Sequence, residues 1–221
     1  MILAVTGGKG GVGKTTVAYN LGAALDAVVV DADLGMADLP TARGPDLHDV
    51  LAGRADPVEA VREDTPVSLL PCGRSLAGAR AAEPRRLVDA IECIAAVYDR
   101  VVVDCPAGMG GDVGLALLVA DACVLVTTPR PAALSDAVRA RALARELDAG
   151  LARIVLNRAD ENPPTERVAR RLGAPVTTVP ESGALAAAQA NGMPVARTAP
   201  DSAAASAVEG LADAVRGTVP S

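Results

Sequence analysis

The sequence predicts one doubly wound α/β domain, with a mostly parallel central sheet flanked by helices. Three observations carry this expectation. At 221 residues the chain suits one domain and is awkward for two. Short β-branched runs alternate with longer stretches at helical spacing, the pattern of parallel strands joined by crossover helices. No internal repeat and no long linker divides the chain. Half of the residues are hydrophobic but only 1% are aromatic, with two Tyr and no Phe or Trp. The core must therefore be built from Ala, Val, Leu and Ile.

Residues 2–6 read as the first strand; a glycine-rich loop follows, then a helix over 14–25. Residues 28–31 form the next strand and run into an acidic loop through Asp33 and Asp38. Residues 47–51 and 57–62 have the pattern of short helices, and 67–70 reads as a strand stopped by Pro71. A helix over 84–98 places Leu87, Ile91, Ile94 and Val97 at helical spacing. Residues 101–104 and 123–127 are continuous apolar strands of the kind buried on both faces. A helix over 134–147, a strand over 154–156, a helix over 165–172, a strand over 176–179 and a helix from Ala184 follow. Pro200 breaks the chain before an Ala-rich helix over 202–215. The segment 200–221 is expected to dock on the domain or to stay partly mobile.

The totals narrow the function. A net charge of −6 disfavours DNA binding through a basic face. No apolar run reaches the ~18 residues of a membrane span, and the nearest, 115–126, is interrupted by Asp121. The N-terminal residues lack a basic flank and read as a strand, not a signal peptide, so a cytoplasmic location is expected. Cys72, Cys93, Cys105 and Cys123 form no CxxC pair, which argues against a zinc or disulfide framework. They are expected as small buried apolar residues. Of 21 basic residues only Lys9 and Lys14 are lysine, and both lie in one glycine-rich run.

That run, Gly8-Lys9-Gly10-Gly11-Val12-Gly13-Lys14-Thr15, fits G-x-x-x-x-G-K-[ST] between a strand and a helix. Its glycines let successive backbone N–H groups converge on phosphate oxygens, and the helix N-terminus adds partial positive charge. Lys14 supplies a point charge for the β- and γ-phosphates, and the Thr15 hydroxyl is placed to ligate Mg²⁺. A general P-loop has no need of Lys9. Its survival as lysine suits a crowded phosphate site, where a compact ammonium fits and a planar guanidinium does not.

Lys9 to Thr16 resembles the deviant Walker A of the MinD/ParA family of dimerising ATPases, a SIMIBI-type branch of the P-loop NTPases. The resemblance is strongest to its MinD-type members. It implies ATP and Mg²⁺ bound through Gly8 to Thr16, and a C2 homodimer in which Lys9 reaches the partner's nucleotide. Asp31-Ala32-Asp33 resembles the family's switch I, which implies that Asp33 orients the attacking water and Asp31 belongs to the magnesium network. Val101-Val102-Val103-Asp104-Cys105-Pro106-Ala107-Gly108 resembles Walker B running into switch II. By that likeness Asp104 holds Mg²⁺ through water and the Gly108 N–H senses the γ-phosphate. A Ras-type GTPase would carry Asn-Lys-x-Asp where this chain has Asn157-Arg158-Ala159-Asp160. The resemblance makes Asn157 and Arg158 adenine contacts and sets Pro180 and Glu181 beside the base.

The implied function is an ATP-dependent dimerisation switch with slow hydrolysis. It would position or recruit a division, motility or surface machine through a protein activator or cargo. Two alternatives stand beside it: a ParA-like DNA segregation ATPase, and a metallocluster carrier, although the carriers' CxxC is missing. The chain departs from the pattern in two places. Its tail offers only Arg216 against Asp201, Glu209 and Asp213, which argues against direct membrane binding. Gly110 and Gly111 loosen switch II. His48 reads as a surface or packing residue, and Cys105 as an unreactive thiol.

Overall fold

The structure, a computed structural model, describes residues 1–34, 39, 44–73 and 75–218. Strand β1 (Ile2–Thr6) passes through the glycine loop into α1 (Lys14–Leu25) and β2 (Val28–Asp31). Helix α2 (Leu47–Leu51), β3 (Leu69–Leu70), α3 (Leu76–Ala81) and α4 (Arg86–Val97) precede β4 (Val101–Asp104). Then come α5 (Gly111–Val119), β5 (Ala122–Thr127), α6 (Pro131–Glu146), β6 (Gly150–Ala159), α7 (Thr165–Leu172) and β7 (Val176–Pro180). Helices α8 (Gly183–Ala190), α9 (Val195–Thr198) and α10 (Ala203–Arg216) follow.

These strands form one seven-stranded sheet in the order β3-β2-β4-β1-β5-β6-β7, and every pairing is parallel. Strand alternation sorts the core onto two faces. Leu3 and Val5 of β1 pack with Val17, Leu21, Val208 and Leu211 from α1 and α10. Ile2 and Ala4 pack with Leu87, Ile91, Val113 and Leu117 from α4 and α5. Helix α6 presents Ala133, Ala137, Ala140 and Ala144 inward. Such small side chains let a helix axis approach the sheet closely without aromatic filler.

Helix α10 starts where the Ser202 hydroxyl accepts the Ala205 N–H at 3.2 Å. It buries Ala204, Val208, Leu211 and Val215 along one stripe, and the Arg216 guanidinium donates to the Ala24 carbonyl of α1. Leu211→Ala is expected to cost about 2–5 kcal/mol, because neighbours on a sheet close only partly around the void. Equilibrium urea unfolding checks this, and a change below 1 kcal/mol (about a fivefold change in the equilibrium constant) would contradict the packing account.

Several elements differ from expectation. Residues 57–62 are not a helix: the Asp56 carboxylate accepts the N–H groups of Val58 and Glu59, which closes a turn. Arg62 is then drawn into an antiparallel bridge with Leu69. The strand expected over 67–70 is regular only at Leu69–Leu70. Helices α3, α5 and α9 were not anticipated. Helix α5 was hidden because the apolar run 115–126 is half helix and half strand. Asp121 parts the two by accepting the Ile2 N–H at 2.7 Å. Gly110 and Gly111 do not extend the switch loop, since Gly110 is the N-cap of α5 and Gly111 its first residue. Cys72, Cys105 and Cys123 are buried, but Cys93 is exposed. Asp38 lies outside the described residues. Among the described residues no helix is long and apolar enough to cross a membrane.

Candidate functional site

Parallel strands deliver their loops to one edge of the sheet, and in open α/β sheets ligands bind at that edge. The glycine loop leaves β1 there, Asp31 and Asp104 end β2 and β4, and Asn157 and Pro180 lie near the ends of β6 and β7. The strand order puts β4 and β5 on either side of β1, so the loop sits in the crevice where the chain reverses direction across the sheet.

Three of the loop's glycines, Gly8, Gly11 and Gly13, are required by geometry. Gly13 has φ 98°, the left-handed N-cap of α1, and a Cβ there would overlap the Asn157 Nδ2. Gly8 lies so close to the Asp136 main chain of α6 that a Cβ would collide with its carbonyl. Gly11 has φ 75° and is exposed, as are Lys9 and Gly10. A Cβ on Gly10 would lie 3.7 Å from the Ala107 Cβ, so the loop after β4 approaches the glycine loop. Val12 is buried. Lys14, at the first turn of α1, is only 7% exposed; its stem lies over Gly7 and its charge is felt by Cys105 at the end of β4. Thr15 and Thr16 are half-buried, and the Thr16 hydroxyl donates to the Gln189 side-chain oxygen of α8.

Asp31 and Asp104 are direct partners in the register of β2 and β4, and each is 1% exposed. One Asp31 oxygen accepts the Asp33 N–H at 3.2 Å, while the other is buried with no hydrogen-bond partner. Burial, and then the neighbouring Asp104, push the Asp31 carboxyl up to about 8. Asp33 is half-buried, two residues on. The Ala32 N–H donates to the Asp104 carbonyl at 3.0 Å and stitches this turn to β4. Gly108 has φ 91° with open space where a Cβ would stand.

The Asn157 side chain is 4% exposed and bonded on both sides. Its Nδ2 donates to the Val12 carbonyl at 2.8 Å and its Oδ1 accepts the Arg158 N–H at 2.9 Å. The β6–β7 register shifts here, leaving Arg158 exposed at φ 53°. Such a bulge re-aims the residues beside it. Pro180 is half-buried and Glu181 exposed. Asn157 thus braces the glycine loop, a contact its sequence position did not announce.

Other supports were also missed. The Thr6 and Thr127 hydroxyls, at the ends of β1 and β5, are buried without hydrogen-bond partners. Gln189, Gly192 and Val195 anchor α1: the Tyr19 hydroxyl donates to the Gly192 carbonyl at 2.7 Å, and Asn20 accepts the Val195 N–H at 2.8 Å. No motif flags these residues, because each acts through a partner more than 170 positions away. His48 is buried, not at the surface. Its Nε2–H donates to the Leu34 carbonyl just past Asp33 at 3.1 Å, and the Cys72 Sγ lies 3.5 Å from the same nitrogen. Cys105 is fully buried and its thiol is pushed far up by desolvation, so it holds no thiolate at neutral pH.

Chemically, this edge offers a cradle closed to a Cβ at Gly8 and Gly13, a buried lysine, a hydroxyl at a helix N-terminus, and two buried carboxylates, of which Asp31 has one oxygen without a hydrogen bond. The donors fit an anionic phosphate chain and a hard divalent cation.

Comparison with known proteins agrees with this geometry. Residues 3–195 match the CobQ/CobB/MinD/ParA nucleotide binding domain model. An uncharacterised ATP-binding protein of Methanocaldococcus jannaschii is 35% identical over 226 residues, covering 95% of this chain and 85% of that protein. The septum site-determining protein MinD of Synechocystis is 33% identical over 71% of this chain, and the matched stretch is 64% of that protein. The septum site-determining protein MinD of Pyrococcus horikoshii, complexed with Mg-ADP, superposes with a TM-score of 0.91 at 30% identity, covering 97% of this chain and 95% of that one. With its seven parallel strands, its glycine cradle and these likenesses, the chain belongs to the CobQ/CobB/MinD/ParA family of nucleotide-binding domains.

Proposed function

We propose that this protein is an ATP-dependent dimerisation switch that hydrolyses ATP slowly in the presence of Mg²⁺. The observation that carries the proposal is the contrast between the two lysines: Lys14 is buried beside its own glycine loop, and Lys9 on the same loop is exposed. An exposed lysine on the glycine loop suits a neighbour's phosphate in a C2 pair.

The backbone N–H groups of Gly8 to Gly13 and those of Lys14, Thr15 and Thr16 bind the phosphates, with the Lys14 ammonium at the β- and γ-positions. Thr15, Asp31 and Asp104 are the residues that would hold Mg²⁺, which supplies charge neutralisation to the phosphates. Asp33 orients the attacking water, and the Gly108 N–H meets the γ-phosphate. Asn157 and Arg158, with Pro180 and Glu181, border the adenine. With Asn157 bonded to Val12, the base and the phosphate cradle move as one unit. Loss of the γ-phosphate removes the contacts that order the Asp33 and Gly108 turns and releases the pair. The pair recruits a protein activator or cargo in the cytoplasm, in the manner of a spatial-positioning ATPase.

Lys9→Ala tests the reading. ATP-dependent dimerisation, followed by light scattering, and turnover are both expected to fall at least about tenfold, while monomeric ADP affinity stays within about twofold. Survival of both dimerisation and turnover would sink the cross-site role.

A further inference from the structure

Helices α6 and α7 lie side by side, and the nucleotide site makes no use of the groove between them. A cleft of about 520 Å³ opens between Pro131, Leu134 and Val168. It adjoins a second cleft of about 630 Å³ that runs along Arg141 and Arg145, with Arg170, Arg171 and Leu172 shared by both. The floor is apolar: Pro131 is exposed and Leu134 half-buried there, and Val168 and Leu172 lie buried beneath them against Leu125 and Ile154 from the sheet.

The rim is cationic. The two clefts are lined by five arginines, Arg141, Arg145, Arg167, Arg170 and Arg171, against one carboxylate, Glu146, in a chain whose net charge is −6. Few of those charges are neutralised locally. Arg170 reaches Glu166 only at 3.9 Å with both side chains largely in water. Arg141 donates to the Leu172 carbonyl at 3.3 Å. Among the described residues, Arg145, Arg167 and Arg171 are in no ion pair. A helix dipole favours Arg170 and Arg171 in the last turn of α7. It likewise favours Arg145 in the last turn of α6. It does not account for Arg167 near the start of α7, for Arg141 in mid-α6, or for the apolar strip between the two rows.

We propose that this groove docks an acidic amphipathic helical segment of a partner protein. Apolar side chains at helical spacing fill the strip over Leu134, Val168 and Leu172, and flanking Asp and Glu side chains meet the guanidinium forks. The lining runs from Pro131 to Glu146 along α6, the length of about four helical turns. Charge complementarity sets the sign of the partner, and the apolar floor sets its class. A nucleic acid backbone would meet the arginines but leave the floor unfilled.

The probe is a fluorescein-labelled peptide of about 16 residues with Leu along one helical stripe and Glu on its flanks. Two controls accompany it: the same peptide with Lys for Glu, and one with Gln for Leu. Fluorescence anisotropy on the full-length protein is expected to show the acidic peptide binding at least about tenfold more tightly than either control. Affinity should weaken as salt rises. The Arg167→Glu/Arg171→Glu variant should bind it at least about tenfold less well, with ATP affinity unchanged as the check on folding. That readout does not depend on hydrolysis, so its failure and a failure of the switch reading are distinguishable. Equal binding of the acidic and lysine peptides, or undiminished binding by the variant, overturns the proposal. So does a short DNA duplex that displaces the acidic peptide and loses its own binding in the same variant.

Discussion

Lys14→Ala is expected to lower kcat/KM for ATP by roughly 100- to 1000-fold, about 3–4 kcal/mol of transition-state stabilisation. Three features put the effect at the top of that range. The side chain is 7% exposed, so its charge acts where bulk water screens it little. Its stem is held over Gly7, so little side-chain entropy remains to be lost on binding phosphate. It also sits at the first turn of α1, where the unpaired N–H groups of the helix share its field. Lys14→Arg is expected to rescue little, because a planar guanidinium fork does not replace a compact ammonium in a crowded phosphate site. Steady-state turnover, with ATP binding measured by calorimetry, checks both variants. Turnover within about threefold of the parent chain for Lys14→Ala would refute the placement.

Asp31→Asn is the second large effect, and it separates folding from function. The folded carboxyl is held at about 8, well above its ordinary value of 3.8, first by burial and then by Asp104. Between those two values the folded chain holds a proton that the unfolded chain has lost. The stability this group contributes is therefore complete below about pH 4 and is lost as pH rises through about 8. The nucleotide-free protein should become less stable across that window, and Asp31→Asn should remove this part of the slope. At pH 8 the variant is expected to be more stable than the parent by about 2 kcal/mol, the cost of leaving a buried charge unpaired. Mg²⁺ with ATP should reverse the ranking, because it neutralises the parent carboxylate and finds one ligand fewer in the variant. Thermal unfolding at pH 5 and at pH 8, with and without Mg-ATP, reads all four states. A parent and variant with the same pH slope would show that Asp31 ionises in the folded chain as readily as in the unfolded one.

The order of strands and loops was legible because parallel strands buried on both faces leave continuous apolar runs. Val101 to Asp104 is such a run, and its terminal acid lies at the sheet edge as expected. The glycine loop was legible for a different reason: its backbone needs φ values and clearances that only glycine provides, as Gly8 and Gly13 show. Residues 57–62 misled because a short apolar stretch has helical spacing by chance, and the Asp56 side chain closes a turn there instead. Helix α5 was invisible beside β5 because a helix and a strand that are both apolar have no contrast at their join. His48 gave no sign of its burial, since its partners Leu34 and Cys72 come from separate loops.

The sequence by itself determined the α/β class, the glycine-rich loop between β1 and α1, the two lysines and the family to which they point. Each of these is a local property, written in residue type and spacing along a few consecutive positions. Only the tertiary structure decided that Asp31 and Asp104 face each other, that Asn157 braces Val12 from 145 positions away, and that α6 and α7 enclose an arginine-rimmed groove. Those facts come from strand register and helix packing. Both follow from how distant segments share one buried core, and neither leaves a mark on the neighbouring sequence.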